Sequence, residues 1–220
     1  MIIHDFTQHQ SVLQQFVAEL RSAEQQIDRI RFTEHIRKIG FTLGYELSKT
    51  LPYATRDVRT PLGVKTMSLP ANLPVICAVL RAGLPLQQGV RDCFVQADLA
   101  FISAYRTHQD DHAIKTIVEY LAAPELKDKI VIICDPMIAS GTTLETVHEV
   151  LQTAQLAKEI HLVAVIGSRE GIAHIERSFP SNTHLWIAAI DEHLSKKKYI
   201  VPGLGDAGDL SFGKKSKSLR

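Results

Sequence analysis

Apolar positions along the chain follow two rhythms. Leu13, Phe16, Val17 and Leu20 recur at helical spacing behind Ser11, whose hydroxyl is suited to cap a helix start. Phe32, Ile36, Ile39, Leu43 and Leu47 repeat that spacing and predict a second helix. The rhythm then changes. YATRDVRTPLGVKTMSL (53–69) alternates apolar and polar residues around Pro61-Leu62-Gly63, the pattern of a β-hairpin or flap. After it come short, nearly continuous apolar runs at 74–80, 97–105, 129–134, 160–167 and 184–190. Helical patterns at 84–93, 142–152 and 169–178 separate several of them. Apolar strands alternating with helices predict an α/β fold: an open, mainly parallel sheet flanked by helices, with N-terminal helices and a β-hairpin flap. One domain over residues 1–220 is the economical expectation, since no internal repeat or low-complexity linker divides the chain.

Composition narrows the function classes. Hydrophobic residues make up 45% and charged residues 22% of 220, the profile of a soluble globular protein with a sizeable core. Lys+Arg 25 against Asp+Glu 24 leaves a formal charge of +1, so no strong field recruits nucleic acid or an anionic membrane. No run reaches the roughly 18 apolar residues of a membrane span, and MIIHDFTQHQ is not a signal peptide. Cys77, Cys93 and Cys134 are odd in number and far apart, which fits reduced thiols and a cytoplasmic location.

The stretch VIICDPMIASGTTLE (131–145) carries the first candidate chemistry. In an open parallel sheet, ligands sit beyond the carboxyl ends of the strands, and Asp135 is the first residue past the end of one. Ala139, Ser140, Gly141, Thr142 and Thr143 then lead into a helix whose buried face is Leu144, Val147, Leu151 and Ala154. Small residues let backbone N–H groups approach a ligand, the helix start adds partial positive charge, and the hydroxyls add donors; together they can cradle a phosphate. Asp135 repels phosphate but can accept hydrogen bonds from sugar hydroxyls, so a sugar phosphate suits the whole stretch. The plainer alternative is a strand–turn–helix junction capped by Asp and Ser/Thr. Neither G-x-x-x-x-G-K-S/T nor G-x-G-x-x-G is present, which argues against an ATPase or a dehydrogenase.

CDPMIASGTT resembles the phosphoribosyl-diphosphate (PRPP) loop of the type I phosphoribosyltransferases, and its Asp-Pro-Met form resembles the uracil phosphoribosyltransferase family. VLRAGLPLQQGV (79–90) is similar to that family's diphosphate loop, and YIVPGLGDAGDLSFG (199–213) to its uracil-binding segment. The resemblance runs from RFTEHIRKIGFTLGYE (31–46) through SAYR (103–106) to Gly213. It implies PRPP binding by Arg81, Arg106, Asp135, Pro136, Met137, Ile138, Ala139, Ser140, Gly141, Thr142, Thr143 and Asp206. It implies uracil binding by Ile200, Gly205, Asp206 and Ala207, with Arg81, Arg106, Asp135 and Asp206 carrying catalysis. The reaction it implies is uracil plus PRPP to UMP plus diphosphate, in pyrimidine salvage. Mg²⁺ would be held mainly by PRPP, with Asp206 reaching it through water. A homodimer or larger homo-oligomer is usual in the family, and GTP activates some members.

The residues agree with that chemistry. Breaking the bond between ribose C1 and diphosphate builds charge on both sides, so catalysis needs orientation and electrostatic stabilisation rather than a nucleophile. Arg81 follows the apolar run CAVL and precedes Ala82-Gly83, and its planar fork matches phosphate oxygens better than Lys would. In YIVPGLGDAGD, Gly203, Gly205 and Gly208 free the backbone to wrap a flat ring, and Pro202 stiffens the turn. Uracil shows two carbonyls and an N–H, which main-chain groups complement directly; cytosine would set donor against donor. The polar stretch THQDDHAIKT (107–116) reads as a loop that closes over the site; His108 and His112 within it fit a solvated loop better than a metal pair. Where the family usually carries Ala-Thr-Gly-Gly-Ser this chain has Ala139-Ser140-Gly141-Thr142-Thr143, in which Ser140 for Thr keeps the hydroxyl; two departures go further. Thr142 stands where a Gly is usual and needs a backbone conformation that a β-branched residue tolerates. Leu210 stands where a basic residue commonly follows Asp209. The alternatives are a regulatory protein that senses PRPP or UMP while binding RNA, disfavoured by the absence of a basic face, and a purine or orotate phosphoribosyltransferase.

Overall fold

The structure, a computed structural model, describes the backbone of residues 1–108, 114–154 and 157–216; the side chains of residues 105–117 and 154 are outside the described set. In chain order the elements are β1 (Ile2–Asp5), α1 (Val12–Arg21), α2 (Arg29–Ser48), β2 (Tyr53–Thr60), β3 (Gly63–Pro70), β4 (Val75–Leu80), α3 (Gly83–Cys93), β5 (Asp98–His108) and β6 (Ile114–Ala122). They continue with β7 (Ile130–Cys134), β8 (Met137–Ile138), α4 (Thr142–Ala154), β9 (Glu159–Ser168), α5 (Arg169–Ser178), β10 (His184–Asp191), β11 (His193–Leu194), β12 (Ile200–Val201) and α6 (Ala207–Phe212).

The main sheet is open, in the order β1-β10-β9-β7-β4-β5-β6, with β8 added beside β9. Every pairing in it is parallel except β5–β6. Successive strand residues alternate between the faces, and each face is covered by helices. On one side Ile76, Ile132, Val163 and Val165 pack with Leu13 of α1, Ile36 and Leu43 of α2, and Leu86 of α3. On the other Cys77, Val131, Ile133 and Leu162 pack with Leu144 and Val147 of α4 and Ile172 and Ile175 of α5. A strand covered on both faces has no polar side to advertise, which is why β4 and β7 read as unbroken apolar runs.

The helix starts follow their capping residues. Ser11 accepts from the N–H of Leu13, Asp28 from Arg31 and Ser168 from Gly171. All five apolar positions predicted for the second helix are buried. The flap forms as β2 and β3, with Tyr53 opposite Pro70 and Thr60 opposite Gly63, and both its faces are largely exposed. Several elements depart from expectation. Ile2–Asp5 forms an edge strand that a four-residue segment does not signal. β5 and β6 extend into the polar stretch 107–116 as an antiparallel pair; residues 109–113, including His112, lie outside the described residues. Met137 and Ile138 pair with Ile166 and Gly167 of β9, so the loop after β7 contains a short strand.

Candidate active site

An open cleft of about 400 Å³ lies beyond the carboxyl ends of β4, β5 and β7. Ala82 follows β4, Ala104 lies on β5, and Met137, Ala139 and Thr143 come from the stretch after β7. Ile200, Gly205, Asp206, Ala207 and Gly208 close the opposite wall. Two segments about sixty residues apart in sequence thus face one space. Lys197, Lys198, Tyr199 and Lys215 form the rest of the rim. Lys197 and Lys198 were not singled out from the sequence.

The loop after β7 is held by its own short polar contacts. Asp135 Oδ1 accepts from the N–H of Met137 at 3.2 Å, and the Asp135 N–H donates to the Val163 carbonyl. Pro136 anchors the loop to the sheet through its carbonyl, which accepts from Val165 and Ile166. Ile138 is buried in the core, so only its backbone can face a ligand. The buried Ser168 hydroxyl donates to the Ala139 carbonyl at 2.6 Å and accepts from Gly171, tying loop to α5. Gly141 takes φ +81, and a Cβ there would lie 2.8 Å from the Gly171 carbonyl oxygen. Thr142 is not among the residues with positive φ; it opens α4, and its hydroxyl is 2.9 Å from that of Ser140. The tight turn is therefore taken by Gly141, and a β-branched residue at 142 meets no conformational obstacle.

Arg81 sits at the turn from β4 to α3, with the Leu80–Arg81 peptide in the cis form. Its Nη2 donates to Asp209 Oδ1 at 3.1 Å and its Nη1 to the Gly213 carbonyl at 3.3 Å. The guanidinium is thus joined to α6, beside Gly208 of the cleft wall. Its Nε is buried and has no hydrogen-bond partner among the described residues. Asp206 caps α6 by accepting from the Asp209 N–H through Oδ1 at 2.9 Å. Arg106 lies on β5 with its backbone opposite Thr116; its side chain is outside the described residues.

Burial disfavours the thiolate form of Cys77 and Cys134. Burial pushes Cys77 up to about 12, and burial, with Cys77 and Asp135 nearby, raises Cys134 well above the ordinary thiol value. All three cysteines are free.

The 199–208 wall is anchored from behind by residues that the sequence reading missed. Asp191, the last residue of β10, accepts from Arg21 Nη2 at 2.8 Å through Oδ1 and from Arg21 Nη1 at 2.8 Å through Oδ2. The same Oδ2 accepts from the Gly203 N–H at 3.1 Å, and Arg21 Nη1 also donates to the Gly203 carbonyl at 3.1 Å. An apolar run ending on Asp, the signal that drew attention to Asp135, also occurs at Asp191.

An open, mainly parallel sheet with a small-residue loop after a central strand and a second segment facing it across the strand ends is the architecture of a type I phosphoribosyltransferase, a pentosyltransferase enzyme. The uracil phosphoribosyltransferase family model matches residues 7–214, and the chain belongs to that family. It is 42% identical over 214 residues to a uracil phosphoribosyltransferase of Porphyromonas gingivalis, covering 97% of this chain and 99% of that one. A uracil phosphoribosyltransferase of Burkholderia cenocepacia is 39% identical over 188 residues, 84% of each chain. Among solved structures, the AQ2163 protein from Aquifex aeolicus superposes with a TM-score of 0.83 at 29% identity, covering 96% of this chain and 98% of that one. No described helix is long and apolar enough to cross a membrane.

Proposed function

We propose that the chain transfers the 5-phosphoribosyl group of PRPP to uracil, forming UMP and diphosphate, in pyrimidine salvage. The observation that carries this reading is the shared cleft: the stretch 137–143 and the segment 200–208 line one space at the strand ends. A sugar phosphate on the first and a flat base on the second bring C1 and a ring nitrogen together, which supplies the orientation that such a reaction requires.

Each group has one task. The main-chain N–H groups and hydroxyls of 139–143 bind the 5-phosphate at the start of α4. Asp135 accepts from the ribose hydroxyls. Arg81 and Arg106 balance the charge that grows on the departing diphosphate, with Arg81 passing from Asp209 to phosphate oxygens. Backbone at Ile200, Gly205 and Ala207 reads the uracil edge, and donors aimed at its carbonyl oxygens reject the cytosine amino group. Among the described residues no cluster of three His, Cys, Asp or Glu could hold a metal unaided. One accessible carboxylate in the cleft wall, Asp206, fits Mg²⁺, which binds through one or two carboxylates and substrate phosphates. That ion would neutralise diphosphate charge. A cytoplasmic location, a homo-oligomer joined through the exposed β2–β3 flap and activation by GTP complete the proposal.

The test is UMP formation from labelled uracil, PRPP and Mg²⁺, run beside cytosine, orotate and hypoxanthine. Turnover of uracil alone is expected, with Asp135→Ala lowering kcat/KM for PRPP about 100-fold through loss of charge-assisted hydrogen bonds to two hydroxyls. Turnover of another base in preference to uracil would overturn the reading.

A further inference from the structure

Reading a base with main-chain groups leaves no side chain to tune. Accuracy then depends on whatever fixes the backbone, and beyond the β11–β12 pairing at Ile200 and Val201 the segment is held at Gly203. It lies between Ile200 and Gly205 of the cleft wall, and its φ of +62 puts it in the left-handed region. A Cβ there would stand 2.2 Å from the Ile200 carbonyl oxygen. Both of its polar backbone groups go to one ion pair: the N–H to Asp191 Oδ2 and the carbonyl to Arg21 Nη1. The pair itself is a two-point contact, 2.8 Å on each side.

We infer that Arg21 and Asp191 are positioning residues for base recognition, a clamp that sets the register of the segment 200–207 against the cleft. This rests on the proposed assignment of that segment to uracil. Asp191 is 7% exposed and Arg21 23%, so the two charges are largely withdrawn from water. The desolvation cost of such a pair offsets most of its attraction, and its stability contribution alone explains little. Its geometry explains more. Only a planar fork can meet both carboxylate oxygens and still turn a donor to a carbonyl. Each side of the clamp is mounted on a rigid element. Asp191 ends a strand of the central sheet, and Arg21 ends α1, which is seated by Leu13, Val17 and Leu20 in the core. The segment also approaches the loop that follows α1: Gln26 Oε1 lies 3.7 Å from the point a Cβ on Gly205 would occupy. Helix α1 is thereby coupled to the cleft wall formed by residues 200–208.

The test compares Arg21→Lys, Asp191→Asn and the double variant with wild type in steady-state assays that vary uracil and PRPP separately. Thermal melting and direct PRPP binding are measured on the same samples. The expected result is a KM for uracil raised 10-fold or more in each single variant, with kcat and the KM for PRPP within about threefold of wild type. Discrimination against cytosine should narrow, and the double variant should be no worse than the poorer single one because the two residues act as a unit. A purely structural pair would lower Tm and leave the uracil KM and base selectivity unchanged, which would overturn the inference. If Asp191→Asn fails to bind PRPP through misfolding, Arg21→Lys decides alone. Wild-type protein that turns over no uracil would overturn the functional reading and the clamp with it. Wild-type turnover of uracil, with both variants unaltered in uracil KM, would overturn the clamp alone.

Discussion

At the scale of single residues, the small-residue loop is governed by one turn. Gly141 carries the left-handed conformation and Thr142 already belongs to α4. Gly141→Ala should therefore strain the backbone by about 1–3 kcal/mol and press on the Gly171 carbonyl, raising the KM for PRPP at least 10-fold. Thr142→Ala, which removes only the hydroxyl near Ser140, should change it less than about fivefold. Both are read from initial rates at varied PRPP, and equal effects would show that the turn is not the controlling feature. The candidate acids were legible in the sequence because Asp135 and Asp206 stand at breaks in apolar or glycine-rich runs. The union of Arg81 with Asp209 and Gly213 was not, since it joins residues 128 and 132 positions apart and local pattern says nothing about such distances.

At the scale of elements, what the sequence revealed depends on how each element is buried. α2 and the central strands have long apolar faces, so their periodicity is strong and their placement matches expectation. β1 is four residues at a sheet edge with Ile2 exposed, too short for any period to register. β6 pairs antiparallel at the other edge, where the polar composition of 107–116 reads as loop. The contact between α2 and α3 was equally hidden, because it is made of backbone. A Cβ on Gly89 would lie 1.9 Å from the Arg37 carbonyl oxygen, and one on Gly40 2.4 Å from that of Leu86. Gly89→Ala must push the helices apart, and with them the start of α3 beside Arg81. We expect a loss of about 2–3 kcal/mol, measured as a lower urea midpoint with an unchanged slope. A loss below about 0.5 kcal/mol would mean that the helices shift freely.

At the scale of the whole molecule, β1, β10 and β9 line up a histidine cluster whose charge state links stability to pH. His161 is fully buried; its Nδ1 accepts from the Trp186 indole N–H at 3.1 Å, so its Nε2 holds the proton and donates to Glu159. A second proton would set donor against donor at Trp186. Burial, with His184 and His4 close by, brings the His161 pKa down to about 3. Burial and His184 lower His4 as well, and burial lowers His148. In each case the unfolded chain takes up a proton that the folded one refuses. Stability is complete above the ordinary value of 6.5 and falls as pH drops from there toward about 3, by up to roughly 1.4 kcal/mol per pH unit for His161. Urea titrations at pH 7 and pH 5 should show this decline, and His161→Gln should flatten it; an unchanged slope would move the effect to other groups.

The same edge of the sheet has a consequence in time. His4 and His184 bond across 180 positions of chain, and β1 is synthesised well before β10. The residues of β1 must wait until β10 has been made before their partner strand exists. Arg21 waits as long for Asp191 and Gly203. Residues 2–21 are therefore made before the strand and segment that hold them, and the cleft wall is fixed only when both have been synthesised.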